Sequence, residues 1–207
     1  MCGRVIQSSG PLRYAIVDGM NVRDSRVHNY PARWNAAPSQ ELLVIRRNHQ
    51  TGDVSLDPLR WGLIPYWCSD TKGGRKPINA KCETVRDLPT FRDAYRRRRC
   101  IVPVDGFFEW KAIKGQKAKQ PYAIAMKDGA PFGIAGIWEN WKDPATGGPR
   151  SNTRRFTTTR LSAWAMDSRN VHCRSRSAVV RCDGVVGARS GSAPNPWQSW
   201  GHVLDAD

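Results

Sequence analysis

The sequence predicts an α+β fold dominated by strands, on three observations. Apolar runs of strand length recur through the first two thirds of the chain, separated by turns rich in Gly, Pro, Asn and Asp. One stretch, Leu88 to Arg99, has the best helix signal, with basic residues gathered in its last turn. The length, 207 residues, fits one domain able to bury a sizeable core without disulfides or metals.

Val5-Ile6 reads as a short strand, and Pro11 to Tyr30 as a mixed segment, helical in part. Tyr30-Pro31 and Ala37-Pro38 mark extended or turn backbone, because the residue before proline is pushed out of the helical region. Leu42-Leu43-Val44-Ile45 is a continuous apolar run, the pattern of a strand buried on both faces. Asn48 to Asp53 is expected to turn the chain back into a strand over Val54 to Leu59, with Arg60 to Trp67 a further strand ending in a proline turn. Ser69 to Pro77 is polar and basic, a loop. After the helix come strands at Cys100 to Val104, Gly106 to Trp110, Tyr122 to Met126 and Phe132 to Trp138. A lysine-rich turn spans Lys111 to Gln120, and no internal repeat is present.

Beyond about residue 150 the composition changes. From Ser151 to Asp207 there is no Lys, Glu, Ile or Tyr, and there are only two Leu. So few large aliphatic side chains give little to bury, and disorder is the physical expectation. The chain therefore divides into a domain over 1–150 and a divergent part over 151–207. The break in residue usage raises the hypothesis that the latter is translated from a shifted reading frame. An in-frame match of the locus to an intact neighbour would sink that idea.

Lys plus Arg is 33 against 18 Asp plus Glu, a formal net charge of +15. An excess of this size points to a polyanionic partner, most simply nucleic acid. The first twenty residues lack the apolar run of a secretory signal, and no stretch of about 18 apolar residues could span a membrane. A cytoplasmic protein is expected, associated with the nucleoid when on DNA. Six cysteines are scattered without any Cys-x-x-Cys pair, so free thiols are expected, with no metal and no cofactor.

Cys2 carries the chemistry. Removal of Met1 leaves an α-amine and a thiol on adjacent carbons. Such a 1,2-aminothiol captures aldehydes, the amine forming an imine and the thiol closing a thiazolidine. With a pKa of about 7.7–8.0, an α-amine is partly unprotonated at neutral pH, as a lysine is not. Taken alone, the position of a single Cys is weak evidence, and an accident of the start is the simpler reading.

The remaining motifs alter that balance. Met1-Cys2-Gly3-Arg4 is followed by Asn35-Ala36-Ala37-Pro38-Ser39-Gln40, then Trp61-Gly62-Leu63-Ile64-Pro65, and then Pro77-Ile78-Asn79-Ala80-Lys81-Cys82-Glu83-Thr84. Last comes Arg99-Cys100-Ile101-Val102-Pro103-Val104-Asp105-Gly106-Phe107-Phe108-Glu109-Trp110. In this order and spacing the set resembles the SOS-response-associated peptidase (SRAP) family over roughly residues 1–145. The resemblance implies a single α+β domain with a β-rich, barrel-like core and few helices. It also implies capture of abasic sites in single-stranded DNA as a covalent thiazolidine DNA–protein crosslink through Cys2, in the service of DNA repair. By the same resemblance Asn79 and Glu109 are catalytic, Arg4 and Pro38 line the DNA surface, and Trp67 stacks near the lesion. Lys81 stands where the family often has Arg; it keeps the charge but loses bidentate phosphate recognition. The family's catalytic His has a weak counterpart in His172, a few residues late and without the Met-Pro that should follow.

The residues themselves are compatible with these roles without compelling them. Glu109 lies among Phe107, Phe108 and Trp110, where burial would raise a carboxyl pKa and make it a proton donor. Equally, it could face solvent at a strand edge, as most Glu do. Asn79 could hold the Cys2 amine or the sugar, or simply be a turn residue. Arg4 and Lys81 adjoin the motifs and suit phosphate contacts, while Arg96 to Arg99 reads as a solvated helix end. Trp67 is the tryptophan expected to stack on a base. Two other functions compete: an N-terminal-nucleophile thiol peptidase acting on itself, and a single-strand-binding protein with impaired catalysis. A peptide substrate has no need of +15, which ranks DNA first. The expected species is a monomer.

Overall fold

Fourteen elements follow one another along the chain in the computed structural model, which describes residues 3–14, 29–47, 51–69, 76–126, 128–142, 152–159, 171–175 and 179–181. They are β1 (Val5–Gln7), α1 (Pro11–Tyr14), β2 (Arg33–Ala36), β3 (Glu41–Arg47), β4 (Val54–Trp61), β5 (Asn79–Ala80) and α2 (Arg92–Arg97). Then come β6 (Arg99–Val104), β7 (Gly106–Ala112), β8 (Lys119–Met126), β9 (Phe132–Lys142), β10 (Asn152–Thr159), β11 (Val171–Ser175) and β12 (Val179–Arg181). The strands form two sheets. One runs β4-β3-β6-β9-β10-β5, and β10 also pairs in parallel with β4 at Arg155–Arg60 and Phe156–Trp61. That second pairing closes five strands into a barrel. The other sheet runs β12-β11-β8-β7-β1-β2. With two short helices among the described residues, this is the strand-rich α+β barrel that the sequence predicts.

Burial explains why Leu42 to Ile45 is apolar at every position. Alternate side chains of a strand point to opposite faces. Leu42 and Val44 enter the main core with Leu59, Trp61 and Phe156, while Leu43 and Ile45 pack with Tyr14, Leu56 and Ile101. Both faces of β3 are therefore covered. Phe156 is fully buried and stacks on Trp61, with ring centroids 6.2 Å apart. So β10, which belongs to the compositionally distinct 151–207 part, supplies both a core side chain and the closing strand of the barrel. Residues 182–207 lie outside the described set.

The helix is shorter than the Leu88 to Arg99 expected. Residues 82–91 are wound as successive turns, and the Phe91 and Arg92 N–H groups both donate to the Leu88 carbonyl at 2.9 Å. Pro89 has no N–H with which to extend a regular ladder backwards. At the other end, the Arg98 carbonyl accepts from Trp138 N–H at 2.9 Å, and Arg99 already pairs with Ile137 in β6. The strand expected over Arg60 to Trp67 ends at Trp61, because Gly62 takes φ 116°, a conformation that favours glycine.

Two polar devices attach the second sheet to the barrel through β1. Gln7 is buried, and its Nε2 donates to the carbonyls of Leu43 (2.9 Å) and Pro103 (2.8 Å) while its Oε1 accepts from Leu43 N–H (2.8 Å). Leu43 pairs with Pro58 of β4, and the Gln7 side chain satisfies its N–H and carbonyl where the pairing of β3 with β6 does not reach. Asp105 accepts from Ser8 N–H (2.6 Å), Ser9 N–H (2.8 Å), Ser9 Oγ (2.5 Å) and Tyr14 Oη (2.5 Å). Burial opposes charge on Asp105, yet the donors from Ser9, Tyr14 and Ser8 outweigh it and hold the carboxyl below its ordinary 3.8. An acid with a depressed folded-state pKa stabilises the fold above its unfolded value and loses that contribution as pH falls through the folded one. Asp105→Ala should therefore cost about 1.5–3 kcal/mol at neutral pH. The gap between variant and wild type should narrow below pH 3.8 in denaturant titrations.

Candidate functional site

The motif residues lie far apart in sequence, and strand pairings and hydrogen bonds connect them in series. β1 pairs with β2 on one side (Val5–Ala36) and with β7 on the other (Val5–Phe107). One residue nearer the N-terminus, the Arg4 carbonyl accepts from Phe108 N–H at 2.9 Å, and Arg4 Nη1 donates to Asn35 Oδ1 at 3.3 Å. The segment leading back to Cys2 thus runs beside the strand that carries Glu109. Glu109 itself is half-buried, while its neighbour Trp110 is exposed. Strand alternation accounts for this, since Phe107 on the Glu109 face enters the core and Trp110 faces away.

From β2 the chain turns through Pro38, which is half-buried, onto the end of β4. Ser39 N–H donates to the Trp61 carbonyl at 2.9 Å and Trp61 N–H to the Gln40 carbonyl at 2.9 Å. Trp61 is buried, and its Nε1 donates to the Ile78 carbonyl at 2.9 Å, which fixes the residue before Asn79. Asn79 is half-buried in β5, where parallel pairing with β10 sets it beside Thr158. Thr158 Oγ1 lies 2.9 Å from Asn79 Oδ1 and 3.2 Å from the Ile78 carbonyl. The contact from Thr158 to the Asn79 oxygen fixes which way the side-chain amide is turned. Lys81 is exposed two residues on, and Cys82 beside it is a free thiol whose pKa is raised by desolvation and by Glu83.

Tyr66 and Trp67 project from the loop after Gly62, at 54% and 56% exposure. Their exposure contrasts with buried Trp61, Trp138 and Trp141. Cys2 lies outside the described residues. His172 is in β11, where its backbone pairs with Ala125 and with Arg181. Tyr122 of β8 pairs with Glu109 on one side and with Ser175 on the other, so Ser175 rather than His172 shares the Glu109 register. Among the described residues no cluster of His, Cys, Asp or Glu is arranged to hold a metal ion, and no helix is long and apolar enough to cross a membrane.

The model of the SOS response associated peptidase (SRAP) family matches residues 1–180 of the chain. The chain belongs to the SRAP family. It is 44% identical over 112 residues to the abasic site processing protein YoaM of Bacillus subtilis, covering 54% of this chain and 48% of that one. It is 35% identical over 141 residues to the abasic site processing protein YedK of Escherichia coli, covering 66% and 59%. Among solved structures, a phage-related protein from Bordetella bronchiseptica superposes with a TM-score of 0.58 at 31% identity, over 76% of this chain and 68% of that one. The chain spans about half the length of the first curated relatives it matches.

Within this SRAP chain, two contributors escaped the reading of single residues. Asn35 opens the Asn35-to-Gln40 motif and gains a role only as the partner of Arg4. Thr158 reaches Asn79 only through the β10–β5 pairing, across 79 positions.

Proposed function

We propose that this chain captures abasic sites in single-stranded DNA by forming a thiazolidine through Cys2. The observation that carries the reading is the hydrogen bond from Phe108 N–H to the Arg4 carbonyl. Cys2 is two residues from Arg4 in sequence, and two peptide units span at most about 7.6 Å. A covalent reach this short supports pairing the aminothiol with Glu109 of β7 in the reaction. Family membership and the abasic site processing proteins among the relatives supply the substrate class.

The abasic deoxyribose opens to an aldehyde. The Cys2 amine adds to its carbonyl carbon and water leaves, giving an imine. The thiol then adds across the C=N bond; the C–S bond forms, the nitrogen takes up the proton, and the ring closes. The net change is loss of one water. Glu109 donates and accepts the protons that ring opening and dehydration move on oxygen. The Asn79 amide, oriented by Thr158, donates to a sugar oxygen. Arg4 and Lys81 neutralise phosphates, Pro38 lines the strand path, and Trp67 stacks on an unpaired base. Glu109 suffices for the proton steps of this scheme, and His172 takes no part in it.

Incubation of the full chain with an abasic single-stranded oligonucleotide tests the reading. The expected product is a heat-stable band on a denaturing gel. Its intact mass should equal protein without Met1 plus oligonucleotide minus one water. Absence of that species, or an equal yield from undamaged DNA, would remove the proposal. Noncovalent binding to undamaged strands should weaken steeply with salt, because phosphate neutralisation releases counterions, and intact duplex should compete poorly.

A further inference from the structure

The loop that bears Tyr66 and Trp67 rests on a buried polar layer made by β9, β10 and the end of α2. It is held at three points. At its start, Arg155 Nη1 donates to the Gly62 carbonyl at 3.3 Å. In its middle, the Arg98 guanidinium lies 5.9 Å from the centre of the Tyr66 ring. At its end, Trp141 Nε1 donates to the Cys68 carbonyl at 2.7 Å. Beneath these contacts, Glu139 accepts from Arg98 Nη2 at 2.6 Å and is the cross-strand partner of Arg155. Glu139 and Arg155 are only 2% and 7% exposed.

Charges placed this deep are costly. Burial raises the Glu139 pKa in spite of Arg98, the sign of a carboxylate held against its solvation preference. A buried ion pair adds little stability over apolar side chains of the same volume. What it provides here is direction, because the Arg98 fork and the Trp141 indole each have one geometry in which they can hold the loop. The two aromatic rings above are exposed and offset by one residue, a surface on which unpaired bases can stack. Fixing such rings before binding lowers the ordering cost that association would otherwise incur.

We infer that Arg98, Glu139, Trp141 and Arg155 are positioning residues that hold Tyr66 and Trp67 as a preset stacking surface for unpaired nucleobases. The inference rests on the single-strand reading above and adds Tyr66 to it. Trp141→Phe is the principal test, since it keeps the buried ring and deletes one hydrogen bond; Glu139→Gln is the second, keeping shape and deleting charge. Affinity for an undamaged single-stranded oligonucleotide is measured by fluorescence anisotropy for both variants, alone and combined with Trp67→Ala, well below every melting temperature. Each single variant should weaken binding about three- to tenfold, a fraction of one base-stacking contact. The crosslinking rate at saturating abasic DNA should stay at the wild-type value, and the effect should shrink markedly in the Trp67→Ala background. Wild-type affinity in both variants, or an equal loss with and without Trp67, would overturn the inference and leave the layer a purely structural one. Failure of the wild-type chain to bind single strands would instead overturn the reading on which it rests.

Discussion

Cys2→Ala should give no heat-stable adduct with abasic single-stranded DNA under conditions where the wild-type chain is converted fully. The variant keeps an α-amine with a pKa of about 7.7–8.0, so it can still form an imine. An imine reverts in water when the strand is heated, whereas a thiazolidine has a C–S bond that closes the ring. Reduction with borohydride should therefore trap the Cys2→Ala protein on the DNA and distinguish loss of the thiol from loss of the amine. Binding to undamaged strands should be unchanged, because the phosphate and stacking contacts proposed lie on Arg4, Lys81 and Trp67. A heat-stable adduct in unreduced Cys2→Ala samples would transfer the nucleophile to another residue. Cys68 and Cys82, free thiols that are not fully buried, would be the first to test.

The second large effect is expected at Glu109. Glu109→Gln preserves the length and hydrogen-bonding outline of the side chain but cannot transfer a proton. Crosslinking at saturating DNA should slow by about 10²–10⁴-fold, the usual contribution of a general acid–base group. Affinity for undamaged single strands should remain within about twofold, since no phosphate contact is assigned to Glu109. Single-turnover crosslinking and anisotropy titrations separate the two quantities. Parallel loss of both would indicate that Glu109 maintains β7 rather than moving protons.

Much of the framework was legible because it depends on local pattern. The runs at Val5, Leu42 to Ile45, Cys100 to Val104 and Phe132 to Trp138 are strands, for apolar side chains at strand spacing have few other ways to be buried. β3 and β4 pair antiparallel on either side of the turn expected over Asn48 to Asp53, of which residues 48–50 lie outside the described set. β2 gave no comparable signal: Arg33-Trp34-Asn35-Ala36 has one buried residue and is a strand because β1 lies beside it. β5 is two residues long and exists through its parallel pairing with β10. The helix was over-extended for the converse reason. Arg98 and Arg99 suit a helix end locally, but pairing with β9 claims the backbone first.

By itself the sequence determined the family, the strand-rich class, the basic character and the identities of the reactive candidates. Those properties reside in residue types and short spacings, which persist however the chain is folded. Tertiary structure alone decided that Phe156, from a compositionally distinct segment, would stack on Trp61 and that β10 would close the barrel. It also decided that Thr158 would orient Asn79, that Arg4 would lie across Asn35 and beside Phe108, and that Arg98 and Glu139 would meet 41 positions apart beneath an aromatic loop. The physical reason is common to all of these. Each depends on a strand pairing or a buried hydrogen bond between residues remote in sequence, and such partners are selected by register and burial, neither of which a local pattern of side chains records.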